Sequence, residues 1–326
     1  MDFLIPLIDF LQNHWLILAF LAPMFWALVN IIDVYFVGNV YKDALDGTII
    51  AGLFQILPWT ILIFFLKVNP GRLVNINQTL FISLLGGFLF ASSFYFYFRA
   101  LFSHNDAALL QIIWGLTIIV VPVLSFLFWG ERLSLYKYSG MAIILSGATM
   151  LSMSKGLKAK IEKSYLLMMS GGIVFLSLSM VFENRAYANL AARGLGNQGF
   201  LIGFLFFSIG AFLAGIFFAI VGKRNPWPLI KKYLKILLLL EGISFLGNFA
   251  SQGAISMAPS VSYVAAVETF LPAFIVLFSL LILFYFTYIA KKQGQIVKKI
   301  YQEQVGGLWV KIIATIIMAV GVYIIS

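Results

Sequence analysis

The 326-residue chain contains no cysteine and only two histidines, and these absences exclude several kinds of functional site. Without cysteine there are neither disulfide bonds nor thiolate metal ligands. His14 and His104 lie far apart in the sequence and form no metal-binding motif. The sequence also lacks a Walker loop, a His-Glu-x-x-His motif and a Gly-x-Ser-x-Gly motif. It therefore predicts no metal site, no cofactor and no enzymatic activity.

Charged side chains are also scarce, at 10% of the residues, whereas 62% are hydrophobic. Soluble domains carry about 25% charged residues, and a soluble globule with this composition would expose large apolar patches. The mean hydropathy of +1.01 therefore indicates that lipid surrounds the chain. The net charge of +10 does not indicate nucleic acid binding, because the lysines cluster in short connections between apolar runs, as membrane orientation requires.

Ten apolar runs follow one another, and each is long enough to cross a bilayer as a helix of roughly 20 residues. Helices are expected because an open sheet edge cannot exist in hydrocarbon. The sequence predicts an all-α integral membrane protein with ten transmembrane helices, in the runs 15–37, 48–66, 80–103, 107–129, 136–153, 165–186, 199–222, 233–256, 261–286 and 307–325.

The two halves of the chain show a weak repeat. An offset of 150 residues places Asp33 on Glu183, and an offset of 154 places Trp114 on Glu268. Five helices per half is an odd number, so the second half enters the membrane from the opposite side. Such inverted repeats place a binding site near the midplane. We predict two five-helix repeats, residues 1–153 and 164–326, joined by a basic linker at 154–163, with an insert near 287–306 in the second repeat.

The first half carries a recognisable pattern in Ala107-Ala108-Leu109-Leu110-Gln111, Trp129-Gly130-Glu131-Arg132-Leu133-Ser134, Tyr138-Ser139-Gly140 and Ser146-Gly147. Small residues at a helix start, an apolar helix, a Gly-Glu-Arg-Leu turn and a glycine-bearing helix resemble the EamA-type repeat of the drug/metabolite transporter superfamily. The resemblance is specific mainly over residues 95–151. In the second half, Phe284-Tyr285 stand where Gly-Glu is expected.

This resemblance implies a central cavity lined by helices one, three, four, six, eight and nine, with helices five and ten at the periphery. It implies a secondary transporter that moves a small organic metabolite, amine-like or amino-acid-like among the options, by alternating access, with proton coupling as an added option. Two alternatives stay open. A membrane-embedded enzyme acting on a lipid or polyprenyl substrate needs acids or histidines clustered at one interface. A non-transporting scaffold tolerates neutralisation of Glu241 and Glu268.

Acidic residues inside apolar runs are the strongest candidates for a site, because each costs roughly 2.5–3.5 kcal/mol at a helix centre. Glu268 lies about 12 Å into the ninth run, since a helix rises 1.5 Å per residue. It is either a site for a substrate cation or a proton, or a neutral acid bonded to a neighbouring helix. Glu241 in the eighth run has the same two interpretations. Trp114, as the repeat equivalent of Glu268, predicts an aromatic wall that could hold an organic cation.

Polar and aromatic residues at helical spacing fill out the predicted binding pocket, because residues three or four apart share a helix face. For any single aromatic residue in this set, lipid contact or packing is the favoured interpretation over a role in binding. The set consists of Gln111 with Trp114, Asn248 with Gln252, Trp26 with Asn30, and Tyr263.

Charged residues near the ends of the first, third and sixth runs suggest ion pairs. Asp33 and Arg99 each lie four residues before the end of their run, on the same membrane side, so we predict a pair that gates the pathway or satisfies charge. Glu183, the repeat partner of Asp33, is expected to pair with Arg185 or to extend to the interface.

Sixteen of the 22 lysines and arginines fall on one side of the predicted topology, which by the positive-inside rule puts both termini outside. The family resemblance instead puts them in the cytosol. We expect a multi-pass protein of the bacterial cytoplasmic (inner) membrane, acting as a monomer or homodimer. Its predicted partners are a small-molecule substrate, the lipid bilayer and, as an option, protons.

Overall fold

The apolar runs fold as α-helices, since a helix satisfies its own backbone hydrogen bonds in lipid. The computed structural model describes residues 14–65, 77–104, 110, 114–153, 163–285, 287 and 307–326, and every regular element within them is helical. In chain order the α-helices of this part are α1 Trp15–Asn39, α2 Ala44–Phe54, α3 Leu57–Leu62, α4 Asn77–His104, α5 Thr117–Trp129, α6 Leu135–Met153, α7 Lys163–Ala192, α8 Gly196–Val221, α9 Trp227–Met257, α10 Val261–Glu268, α11 Leu271–Phe284 and α12 Leu308–Ile325.

Eight segments of the described chain are long and apolar enough to cross a membrane. They confirm an all-α, multi-pass membrane protein. The ten-helix count stays a prediction, because neither α5 nor α6 is among the eight: α5 has 13 residues and the start of its run lies outside the described residues, and α6 is less apolar than the eight. The predicted linker and insert also fall almost entirely outside them. The eight segments are α1, α2 with α3, α4, α7, α8, α9, α10 with α11, and α12.

Glycines let the central helices approach closely. The helix α4 packs against α7 and α8, and α2 packs against α8. A Cβ atom built on Gly87 of α4 would lie 1.8 Å from the carbonyl oxygen of Phe207 in α8. Gly210 of α8 has the same relation to the carbonyl oxygen of Leu84 in α4. Van der Waals packing between backbones, rather than hydrophobic burial, therefore holds α4 and α8 together.

Two helices, α6 and α12, pack mainly against each other. A Cβ on Gly140 of α6 would lie 3.0 Å from the carbonyl oxygen of Gly321 in α12. Where the pair ends, the Nζ atom of Lys137 donates to the carbonyl oxygens of Ile324 and Ile325, at 3.2 and 3.0 Å. A cation at a helix C-terminus is favourable, because the last carbonyls have no partner within the helix.

Three of the apolar runs are interrupted near their middle. One break separates α2 from α3, another separates α10 from α11, and a third, Gly115–Leu116, precedes α5. Pro58 and Pro272 occupy first-turn positions of α3 and α11, where the missing proline N–H breaks no helical bond. At the repeat offset of 154, Gly115–Leu116 coincides with the break Thr269–Phe270, so the fourth and ninth runs break at equivalent positions.

We predict that Gly87→Ala destabilises the fold by about 1–3 kcal/mol or more, because the added methyl group forces α4 away from α8. Gly242→Ala is the matched control, since a Cβ at that helical position meets nothing within 4 Å. Thermal unfolding of both variants in detergent measures the difference. Equal midpoints for the two variants would contradict the close contact between α4 and α8.

Candidate functional site

A cavity lies where the broken helices meet α1, α4 and α9. The space that protein atoms leave free there, counted together with the open volume at its mouth, is about 990 Å³. The part of its lining that the structure describes contains three carboxylic acids, a cluster of aromatic rings and no lysine, arginine or histidine. The lining residues are Trp26, Val29, Asn30, Asp33, Ala51, Phe90, Phe94, Tyr97, Phe98, Trp114, Gly115, Thr117, Leu176, Glu241, Ser244, Glu268, Thr269, Leu271 and Pro272.

The helix breaks bring the ends of half-helices to this cavity. Trp114 and Gly115 line it from the fourth run, and Glu268 and Thr269 line it from the ninth. At the predicted repeat offset of 154, these positions correspond. Interrupted helices that face a cavity near the middle of the membrane are a recurring way to build a polar site in a transporter fold.

Asp33 is held by a short hydrogen-bond chain on one wall of the cavity. The hydroxyl of Tyr97 donates to Oδ2 of Asp33 at 3.3 Å and accepts from Nδ2 of Asn30 at 2.7 Å. Asn30 and Asp33 are three residues apart on α1, so Tyr97 of α4 can contact both. The sequence interpretation missed Tyr97, because nothing in the local pattern of α4 separates it from the neighbouring aromatic residues.

Glu268 is the last residue of α10, beside the break. Its Oε1 atom accepts a 2.6 Å hydrogen bond from the Oγ atom of Ser251, a buried residue of α9. The sequence interpretation missed Ser251 although it lies three residues after Asn248, because a serine in a helix commonly bonds its own backbone.

Glu241 differs from the other two acids. It lies near the middle of α9, it lines the cavity, and only 5% of its surface is exposed. It has no side-chain hydrogen bond and no ion pair with any residue that the structure describes. One turn further along α9, Ser244 lines the same cavity. Glu241 is thus a buried carboxyl group with neither a donor nor a cation beside it.

A second hydrogen-bond chain joins α1, α9 and the break after α2. The Nε1 atom of Trp26 donates to Oδ1 of Asn248, and Nδ2 of Asn248 donates to Oε1 of Gln55, each at 3.1 Å. Gln55 is the C-terminal cap of α2 and was not predicted. A Cβ on Gly247 would lie 2.7 Å from the Trp26 ring, so the ring can pack against α9 there because residue 247 is glycine. Of these three bonded residues, Trp26 lines the cavity, whereas Asn248 and Gln55 lie outside its lining. Asn248 therefore supports the cavity wall indirectly, by holding the Trp26 side chain.

Gln252 and Tyr263 do not line the cavity, contrary to prediction. Gln252 accepts a 2.9 Å hydrogen bond from the hydroxyl of Tyr187 on α7. Tyr263 lies near Trp15 and Lys137, with the Nζ atom of Lys137 5.7 Å from its ring centre. It occupies the first turn of α10, whereas Glu268 ends that helix. Gln111 lies outside the described residues.

The predicted ion pairs are not formed. Arg99 is exposed, and its guanidinium donates to the hydroxyl of Tyr95 at 3.2 Å. The face of α4 that reaches Asp33 presents Tyr97, and a residue two positions further along a helix points elsewhere. The only salt bridge between described residues joins Arg224 to Asp43, the N-cap of α2.

Glu183 is fully buried between α7 and α4, outside the central cavity, and it does not pair with Arg185. Its Oε2 atom accepts a 3.4 Å hydrogen bond from Ser83. Arg185 instead lies over the ring of Trp129, 4.9 Å from its centre. Two positions along a helix separate Glu183 from Arg185, which turns the side chains to different faces. The repeat partners Asp33 and Glu183 therefore have different surroundings.

No protein-family model and no curated protein sequence matches the chain. A solved structure described only as "Crystal structure of protein" is similar, with 94% of each chain covered, a TM-score of 0.60 and 15% sequence identity. At this identity the likeness concerns the fold alone. The helix arrangement therefore occurs in another protein of known structure.

Removal of the Tyr97 hydroxyl tests whether its hydrogen bonds to Asn30 and Asp33 stabilise this side of the cavity. We predict that Tyr97→Phe lowers stability by about 1–3 kcal/mol, because it leaves two buried polar side chains, Asn30 and Asp33, without their partner. Tyr95→Phe on the same helix is the control, since it loses only the contact with exposed Arg99. Thermal unfolding in detergent measures both. A Tyr97→Phe midpoint equal to that of Tyr95→Phe would show that Tyr97 does not support the wall.

Proposed function

We propose that the protein is a secondary transporter of the cytoplasmic membrane that moves a small organic solute by alternating access. In this proposal ten helices form two five-helix repeats of opposite sense, as in drug/metabolite transporters. The observation that carries the proposal is the cavity between the halves, which combines aromatic rings from the first half with acids from both halves, Asp33 from the first and Glu241 and Glu268 from the second. A site of that kind suits a solute that enters from one side and leaves by the other.

The pairing of helices supports two related halves. In the proposed repeat, α1 of the first half corresponds to α7 of the second, and α4 corresponds to α9. The contact between α1 and α9 therefore has its counterpart in the contact between α7 and α4, and both pairs pack closely. Exchange of the halves leaves α6–α12 unchanged as a pair, because each is the last helix of its half, and these two also pack together. The breaks before α5 and before α11 lie at equivalent positions. Rocking of one half against the other would open such a cavity to alternate sides.

The depth of the acids favours transport over the two alternatives. Asp33 lies six residues, or about 9 Å, from the end of α1. Glu241 lies near the middle of α9, so the acids do not gather at one interface as an enzyme acting on lipid headgroups would require. A scaffold has no need for buried acids around a cavity, since each is costly in a membrane. The sequence carries no nucleotide-binding motif, so a gradient of solute or ion would drive transport.

Thiol labelling tests alternating access without knowledge of the solute, because the chain has no cysteine of its own. We predict that Ser244→Cys, at the cavity lining, reacts with a membrane-impermeant methanethiosulfonate reagent added to either side of sealed vesicles. Under alternating access the cavity opens to each side of the membrane in turn, so the cysteine is exposed to reagent on both sides. The readout is the fraction of protein labelled from each side.

Ser208→Cys is the control for this experiment. Ser208 lies on α8, is fully buried and does not line the cavity, so it should remain unlabelled from both sides. Labelling of Ser244→Cys from one side alone, or from neither, would contradict alternating access.

A further inference from the structure

We infer that the transported solute is an organic cation and that Glu241 is the carboxylate that pairs with its charged nitrogen. This inference rests on the proposed function for its setting, and it concerns the same cavity. Its starting point is the difference in partners among the three acids that line that cavity.

The first argument is the sign of the charge. Of the described residues, Asp33, Glu241 and Glu268 line the cavity, and no basic side chain does. An anionic solute would meet acids on several walls without a single cation, which costs free energy in a medium of low dielectric constant. A neutral solute would gain no electrostatic attraction from the three acids. Only a cationic solute is attracted by all of them.

The second argument is the missing partner of Glu241. Tyr97 donates to Asp33, and Ser251 donates to Glu268. Glu241 is 95% buried and receives no hydrogen bond from a described residue. Burial of a polar group without a partner is unfavourable, and burial of an unpaired charge is more so. A solute ammonium group beside Glu241 would supply the missing partner, so this residue gains most from binding.

The third argument is the shape and chemistry of the remaining wall. The rings of Tyr97 and Trp114 lie edge to face with centroids 5.8 Å apart, and those of Phe90 and Phe94 are 4.8 Å apart. All four rings line the cavity. Cations bind over aromatic faces within roughly 6 Å of the ring centre, most strongly over tryptophan. The cavity thus suits a primary or quaternary amine that carries an apolar or aromatic body.

The two partnered acids then act as positioning residues. Asp33 is fixed by Tyr97 on the α4 side, and Glu268 is fixed by Ser251 at the break of the ninth run. Their charges would attract the cation into the cavity, while Glu241 makes the direct ion pair. Neutralisation of Glu241 should therefore weaken binding more than neutralisation of Glu268 does.

A binding assay on the purified full chain in detergent tests the charge. The probes are phenethylamine, benzyltrimethylammonium, choline and agmatine, and the matched controls are phenethyl alcohol and phenylacetate, which resemble phenethylamine in size. We expect at least one cation to raise the unfolding temperature and to change the fluorescence of Trp26 and Trp114, while the alcohol and the acid do neither. Stabilisation by phenylacetate or phenethyl alcohol alone, or by none of the cations, would overturn the inference.

Variants test the role of Glu241. We expect Glu241→Gln to lose roughly 30-fold or more in affinity for the cation that binds, as truncation of one partner of a buried charge pair usually does. Glu183→Gln, which neutralises a buried acid outside the cavity, should bind as the unmodified chain does. Glu241→Asp keeps the charge on a shorter side chain and should retain part of the affinity. Glu241→Gln with full affinity would reject the assignment. If that variant fails to fold, a larger loss of affinity in Glu241→Asp than in Glu268→Gln would uphold the assignment, and a smaller loss would reject it.

A flux assay separates this inference from the proposed function. Proteoliposomes are loaded with the cation that binds best, and its release is followed with and without the protein. Binding without flux would overturn the transporter and leave the cation site standing. Protein-dependent flux of phenethyl alcohol or phenylacetate, with no binding of any cation, would overturn the cation site and leave the transporter standing.

Discussion

Hydrocarbon offers no hydrogen-bond partner to a polar side chain, and this constraint organises the interior of the protein. Polar side chains at and behind the central cavity therefore find partners within the bundle, in three separate chains of hydrogen bonds. Glu241 lies among them without such a partner. The three chains are Asn30–Tyr97–Asp33, Trp26–Asn248–Gln55 and Ser251–Glu268.

The same constraint explains where the helices can break. A break leaves backbone groups without their helical partners, which membrane proteins tolerate only against protein or a water-filled cavity. The breaks in the fourth and ninth runs both border the central cavity, and Gln55 at the break after α2 is bonded to Asn248. The irregular backbone and the three acids of the cavity lining thus occupy one region, whereas large apolar side chains such as Phe64, which is 83% exposed, lie at the surface.

Helical periodicity and the rarity of charge predicted the helical membrane class and six of the residues that the structure brings together. Spacing shows which residues share a helix face, but not which neighbour that face meets. Gln252 and Tyr263 were misplaced for this reason. Tyr97 and Gln55 were missed because their partners come from distant segments, and Ser251 because a helical serine commonly bonds its own backbone. The six residues are Trp26, Asn30, Asp33, Trp114, Glu241 and Glu268.

The contact between Gly86 and Glu183 constrains how this sequence can change over evolution. A Cβ on Gly86 would lie 2.1 Å from the Oε1 atom of Glu183, so an added methyl group would displace the end of that side chain. Alanine at position 86 therefore requires the buried Glu183 carboxyl group to move, which a shorter residue at position 183 would avoid. Among homologous chains the two positions should therefore covary, with the small residue and the long acid gained or lost together.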